Sequence, residues 1–266
     1  MPDLLLSLSG NTPLEIAGIA ARKAGEILMK HFGSVKQVKH KSHGNLVTEV
    51  DVLSEKQIIG ILKKEFPHFG ILSEETNSTT HINGFTWVVD PLDGTNNYTY
   101  GIPFFCVNIA LVHNHDILLG VTYDPVRDEL FEAQSGEGAY LNESPIHVSK
   151  AVSLRGSLIG LDLGYSHKRG RDMLETVAEL WGQVHCVRLM GSSALGTAYV
   201  AAGRVSLYFH RYLFPWDIAS GLLLVREAGG EVLDWKGNRA GLRDTELIAS
   251  NARLLSEFLH RFGDGR

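Results

Sequence analysis

The sequence predicts a layered α+β protein whose second half turns to α/β, and three observations carry that prediction. Helical periodicity dominates as far as Pro67, β-rich runs separated by hairpin turns follow to about residue 142, and beyond Lys150 strands and helices alternate. With 266 residues, 44% of them apolar and 21% charged, the chain can build a large core. An N-terminal α+β half over residues 1–150 and a C-terminal α/β half over residues 151–266 are expected to pack as one compact catalytic unit.

Each element has a local cause. Thr12-Pro13-Leu14-Glu15 is a capping box with proline at the first helical position, and Ile16, Ala20, Ala24, Ile27 and Leu28 recur at helical spacing until Gly33. Residues 36–43 are polar and basic and predict a loop. Thr48-Glu49-Val50-Asp51 opens a second amphipathic helix that carries Ile58, Ile59, Leu62 and Phe66 and ends at Pro67. Residues 70–73 form a short strand running into Glu74 and Glu75, and Trp87-Val88-Val89 reads as the end of a buried strand. Residues 104–113, 117–123, 129–133 and 139–142 then form an antiparallel meander. Strands at 157–162, 184–189 and 205–209 alternate with helices at 171–181 and 192–202, and a last helix starts after Pro215 and runs to Gly229-Gly230.

The buried strand ending at Val89 delivers acid to one place. Asp90 and Asp93 flank Pro91 and Leu92, where proline cannot donate to a ladder, so the chain is expected to turn and aim both carboxylates inward. Paired hard oxygens suit a hard cation such as Mg²⁺. Gly94 permits close backbone approach, and residues 95–97 could open a short helix whose N–H groups face a phosphate. Asp, Pro and Gly together are also ordinary turn chemistry. A solvated turn, however, has no need of the Trp-Val-Val and Phe-Phe-Cys-Val runs that bracket these acids.

Asp90-Pro91-Leu92-Asp93-Gly94-Thr95 resembles the first signature of the inositol monophosphatase family of Mg²⁺-dependent sugar-phosphate phosphatases. Trp216-Asp217-Ile218-Ala219-Ser220-Gly221 resembles the second, in the right order and at the family's distance. Leu46-Val47-Thr48 with Asp51, and Gly191-Ser192 with Gly196-Thr197-Ala198, extend the resemblance over nearly the whole chain. It implies an αβαβα sandwich of the inositol monophosphatase and fructose-1,6-bisphosphatase type, and phosphate monoester hydrolysis by metal-activated water. It implies two or three Mg²⁺ ions held by Glu74, Asp90, the Leu92 carbonyl, Asp93 and Asp217. Glu74 and Thr95, backed by Asp51, would orient the attacking water. Asp93, Gly94, Thr95, Gly196, Thr197, Ala198, His210 and Asp217 would contact substrate. Homodimers and sensitivity to Li⁺ are further implications.

Read without the resemblance, several of these residues have plainer roles. Asp51 and Asp217 each stand in the first turn of a helix, where an acid caps free N–H groups. Glu74 and Glu75 could be a solvated strand end, and the small residues at 196–198 could simply let helices pack closely.

Alternatives on the same chemistry are narrower. A haloacid dehalogenase-type phosphatase needs one residue between its aspartates, and this chain has two. Inositol-specific members carry a glutamate seven residues before the second-signature aspartate, where this chain has His210. Fructose 1,6-bisphosphate, histidinol phosphate and 3′-phosphoadenosine 5′-phosphate therefore stand beside inositol 1-phosphate as substrates. A non-catalytic interaction protein that keeps the fold is the reading from another class.

A net charge of −5 gives no reason to expect nucleic acid. Cys106 and Cys186 are far apart in apolar runs and read as free thiols in a reducing compartment. The first ten residues have neither a basic n-region nor a long apolar run, so a cytoplasmic protein with no membrane partner is expected. No zinc-type histidine spacing, phosphate-binding glycine-lysine loop or dinucleotide fingerprint occurs.

Overall fold

The computed structural model of the chain describes residues 6–34, 38–42, 45–76, 82 and 84–263. Helix α1 (Pro13–His31) begins with the expected capping box: the Thr12 hydroxyl accepts the Glu15 N–H at 3.3 Å, and Glu15 accepts the Thr12 N–H at 2.7 Å. Its buried stripe of Ile16, Ala17, Ala20, Ala24 and Leu28 follows helical spacing. Two short strands, β1 (Val38–Ser42) and β2 (Asn45–Thr48), pair antiparallel where a loop was expected. Lysine, histidine and serine hide a period of two when they fill a strand. Helix α2 (Glu49–Glu65) starts from Thr48, whose N–H Asp51 accepts at 2.8 Å.

A seven-stranded sheet follows, its strands adjacent in chain order: β3 (Gly70–Ser73), β4 (Phe85–Asp93), β5 (Cys106–His113), β6 (Asp116–Asp124), β7 (Glu129–Gln134), β8 (Gly138–Leu141) and β9 (Ser144–Pro145). Only β3 and β4 run parallel. A five-stranded sheet takes β10 (Leu158–Leu161), β11 (Cys186–Leu189), β12 (Leu207–His210), β13 (Glu231–Leu233) and β14 (Leu247–Ser250) in the order β11-β10-β12-β14-β13. Sequence reading did not reach β13, β14 or the helix α7 (Ala252–Phe262) that follows. Strands of three and four residues are too short to establish a period.

The remaining helices are α3 (Thr95–Thr99), α4 (His167–Leu180), α5 (Ser193–Ala201) and α6 (Pro215–Glu227). Strand alternation sorts the core into layers. Trp87, Val89, Val107, Ile109 and Val121 face α1 and α2 in one buried cluster. Cys106, Phe131 and Ala133 on the other face meet α5 and α6, which also cover Tyr208 and Ala249 of the second sheet. Phe209, Trp235 and Ile248 on that sheet's far face pack on Met173 of α4 and Leu254, Leu255 and Phe258 of α7. The order is helix, sheet, helix, sheet, helix, the αβαβα sandwich that the resemblance implies. Among the described residues no helix is long and apolar enough to cross a membrane.

Candidate metal centre and substrate pocket

Strand β4 does not stop at Asp90 as expected; it runs on through a bulge. Asp90 pairs with Asn108 and Asp93 with Cys106, so three steps along β4 match two along β5. The consequence follows from the period of a strand. Residues three apart would face opposite ways, but the one extra residue at Pro91-Leu92 returns Asp93 to the face of Asp90. The bulge is pinned from behind, because the Ser54 hydroxyl of α2 donates to the Pro91 carbonyl at 2.8 Å.

Helix α6 brings the third acid across this face. Its first turn is anchored by Asn108, whose amide donates to the Trp216 carbonyl at 2.6 Å, and Thr122 and Ser220 hydroxyls meet at 2.9 Å. A Cβ at Gly120 would fall 2.7 Å from the Ser220 Cα, so glycine is what lets the helix lie so close. Asp90, Asp93 and Asp217 thereby each offer a carboxylate oxygen within 4.8 Å of the others. Glu74, just beyond β3, lines the same cavity.

Burial, and then the charges of Glu74, Asp93 and Asp217, push the Asp90 carboxyl well above its ordinary pKa. Burial also raises Asp93, against the Ser192 hydroxyl at 2.5 Å and the Ala194 N–H at 2.8 Å that its Oδ2 accepts. Carboxylates gathered and desolvated in this way repel one another unless a cation lies among them, and an all-oxygen donor set fits Mg²⁺.

Thr95 and Asp51 sit together, as the resemblance implies. The Thr95 hydroxyl lies 3.1 Å from Asp51 Oδ1 and 3.0 Å from the Leu92 carbonyl, and its single proton serves one of them at a time. Burial raises Asp51 to about 6 although Thr48 and Thr95 donate to it. Gly94 has φ +92°, and a Cβ there would meet the Gly191 and Phe104 carbonyls at 3.1 Å. Glycine alone fits where α3 begins against the neighbouring chain.

Three expected substrate residues lie elsewhere. Gly196, Thr197 and Ala198 are buried within α5, Gly196 against the Tyr208 ring and Thr197 against Gly221 of α6. They do not line the cavity; Ser192 and Ser193, one turn earlier, do. Gly196 lets α5 lie against the Tyr208 ring of β12, and Gly221 lets α6 lie against Thr197. His210 does line the cavity, but both its ring nitrogens are buried without a hydrogen-bond partner, and burial lowers it to about 3. Gly94, Thr95, Asp93 and Asp217 line the cavity as expected.

Sequence reading also missed residues. Asp162, at the end of β10, accepts the Gly191 N–H at 2.5 Å and the Tyr208 hydroxyl at 2.7 Å, and so fixes the approach to Ser192; burial raises it to about 7. Glu55 on α2 holds the turn that follows Glu74. The Tyr165 phenol is pushed up by burial and by the charges of Glu74, Asp93, Asp217 and Asp90. Asp162 had a signal, since its strand ends on an acid just as β4 does. Glu55 and Tyr165 had none.

Comparison with known proteins agrees with this arrangement. The model of the inositol monophosphatase family matches residues 12–262. The chain is 41% identical to Nus factor SuhB of Xylella fastidiosa over 93% of its length and 94% of the relative's. It is 40% identical to inositol monophosphatase 1 of Solanum lycopersicum, covering 92% of this chain and 93% of the relative. Among solved structures, the extragenic suppressor protein suhB of Bartonella henselae superposes with a TM-score of 0.90 at 36% identity, covering 95% of this chain and 98% of that one. An inositol monophosphatase of Thermotoga maritima superposes with a TM-score of 0.86 at 33% identity, covering 93% and 95%.

Proposed function

The chain belongs to the inositol monophosphatase family, whose members are phosphoric monoester hydrolases, and from that premise we propose that it is a Mg²⁺-dependent phosphatase acting on a small phosphate monoester. The observation that carries the reading is the convergence of Asp90, Asp93 and Asp217 to within 4.8 Å beside Glu74 in one cavity.

Glu74, Asp90, the Leu92 carbonyl, Asp93 and Asp217 would hold two or three Mg²⁺ ions. When bound, such ions neutralise phosphate charge and lower the pKa of water. The protein's own groups supply the rest. Because the Thr95 proton is committed to Asp51 or to the Leu92 carbonyl, its oxygen is free to accept a hydrogen bond from water and orient it, and the Glu74 carboxylate would take the proton that the water gives up. Asp51 is largely ionised at neutral pH and so keeps Thr95 oriented. The N–H groups of Gly94 and Thr95 would hold the phosphate. The attack is direct, with no covalent intermediate, and the departing alkoxide takes its proton from solvent.

Resemblance further supports a homodimer, a cytoplasmic location and inhibition by Li⁺. A second reading rests on the Xylella fastidiosa relative, which is named a Nus factor: a role in a macromolecular assembly, with catalysis secondary or absent. One assay separates the two. Phosphate release from a panel of sugar, polyol, nucleotide and amino-alcohol phosphates should need Mg²⁺ and vanish in Asp93→Asn; turnover by chelated enzyme, or none on any ester, would overturn the phosphatase reading.

A further inference from the structure

Strands β11, β10 and β12 run parallel and end together at the cavity. Leu161 pairs with Leu189 on one side and with Phe209 on the other, so the next residue on each strand is Met190, Asp162 or His210, and all three line the cavity. The carboxyl ends of parallel strands are where sheets of this kind place their sites. Asp162, on the middle strand, is buried, and both its oxygens are engaged: Oδ1 accepts the Gly191 N–H at 2.5 Å and Oδ2 the Tyr208 hydroxyl at 2.7 Å.

The first of these bonds holds a tight turn. Gly191 has φ +76°, and a Cβ there would stand 2.6 Å from the Asn97 side-chain amide, which donates to the Met190 carbonyl at 3.0 Å. Asn97 of α3 therefore clamps the turn from one side and Asp162 of the second sheet from the other. The turn leads straight to an acid of the cluster. The Ser192 hydroxyl and the Ala194 N–H both donate to Asp93 Oδ2, at 2.5 and 2.8 Å. The serine oxygen also accepts the Leu195 N–H at 3.3 Å, so its lone pair caps α5 while its proton goes to Asp93. Asp93 Oδ1 meets the Ser193 hydroxyl at a looser 3.4 Å. The carboxylate is thus turned with Oδ2 committed to the start of α5, and Oδ1 is the oxygen left for a cation.

That orientation depends on where residues 192–194 lie, and the residue before them is the one that Asp162 holds. Resting on the phosphatase reading, we propose that Asp162 is a positioning residue for Asp93: through the Gly191 turn it sets the donors that aim one Asp93 oxygen at Mg²⁺. Asp162 sits on a different sheet from Asp93, so the bond at Gly191 also fixes the second sheet to the metal centre built on the first.

The test uses the full chain and follows Mg²⁺ in two ways: calorimetric titration into chelator-treated protein without substrate, and the concentration for half-maximal phosphate release from one ester. Asp162→Ala should weaken both roughly tenfold or more, the usual cost of freeing a metal ligand from the hydrogen bonds that orient it. Asp162→Asn keeps an oxygen for the Gly191 N–H and should stay within about threefold of the parent. Tyr208→Phe removes the other hydrogen bond of Asp162 and leaves the turn, so the metal-free melting temperature should drop while Mg²⁺ affinity holds within about twofold. Ser192→Ala breaks the last link, and the double variant with Asp162→Ala should lose less than the product of the two single losses, because the residues act through a shared contact. Should Asp162→Ala fail to fold, Asp162→Ser, too short to reach Gly191, takes its place. Unchanged Mg²⁺ affinity in the alanine or serine variant, an equal loss in Tyr208→Phe, or single losses that multiply in the double variant would overturn the inference and leave the phosphatase reading intact. A parent chain that takes up no Mg²⁺ would overturn both.

Discussion

Glu55, 2% exposed in the middle of α2, accepts through Oε1 the backbone N–H of Glu75 at 3.1 Å. The same oxygen accepts the Thr76 N–H at 3.2 Å and the Ser73 hydroxyl, so a helix that never enters the cavity pins the residues on both sides of Glu74. The Glu74 N–H itself donates to the Val89 carbonyl at 3.2 Å. Glu55→Gln keeps an acceptor oxygen and should lose activity a few-fold. Glu55→Ala strips the turn of its acceptor, at about 1–3 kcal/mol for each stranded donor, and should raise the Mg²⁺ concentration for half-maximal activity about tenfold or more. Mg²⁺ titration of activity, read beside the metal-free melting temperature, separates positioning from plain destabilisation. An unchanged Mg²⁺ requirement in the alanine variant would count against it.

Asp90 trades stability for binding. Its charge is buried and opposed by Glu74, Asp93 and Asp217, so Asp90→Asn should stabilise the metal-free protein at pH 7.5 while abolishing activity. Each kcal/mol relieved corresponds to roughly 2–4 °C in melting temperature for a chain of this size. Thermal melts with chelator should rise, and addition of Mg²⁺ should no longer shift them.

The pH dependence has a definite sign. Asp51 and Asp162 have folded pKa values of about 6 and about 7, above the ordinary 3.8, and Asp90 and Asp93 are raised as well. Protonated forms are therefore favoured by folding. That stability is fully present below pH 4 and is lost as pH rises through 6 and 7. His210, lowered to about 3, has the opposite sign up to pH 6.5 and is constant above it, so the metal-free melting temperature should fall from pH 6.5 to pH 8. The increment produced by saturating Mg²⁺ should grow over the same range, because the cation competes with protons for the cluster. A Mg²⁺-induced shift that shrinks with rising pH would contradict the proposed ligand set.

Thr95 should tolerate only another hydroxyl. Thr95→Ser keeps the oxygen 3.1 Å from Asp51 and should stay within several-fold of the parent, whereas Thr95→Ala should cost on the order of 10²-fold in kcat with little change in KM. Asp51→Asn leaves Thr48 and Thr95 without an ionised partner and should resemble Thr95→Ala. Steady-state kinetics on one ester resolves all three variants.

Local chemistry alone determined a good deal here. The capping boxes at Thr12 and Thr48, the apolar lead-in to Asp90 and the acid in the first turn after Pro215 are short-range patterns, and each lies where its spacing placed it. The β1–β2 hairpin and the strands after Gly230 escaped because polar or very short strands carry no period, whereas α7 did carry a signal, an Asn251 cap before Leu254, Leu255 and Phe258 at helical spacing. What only packing decided is which residues share a space. The bulge at Pro91-Leu92 turned Asp93 back beside Asp90, Gly120 let α6 settle close enough to bring Asp217 over both, and Gly196 to Ala198 went into a helix interface while Ser192 and Ser193 took the cavity. The burial of the His210 nitrogens and the meeting of Asp162 with Gly191 belong to that same category. Spacing along a chain sets which way a side chain leaves its own element, but the partner it meets depends on how closely two distant surfaces can approach, and that is fixed by volume and fit across the whole sandwich.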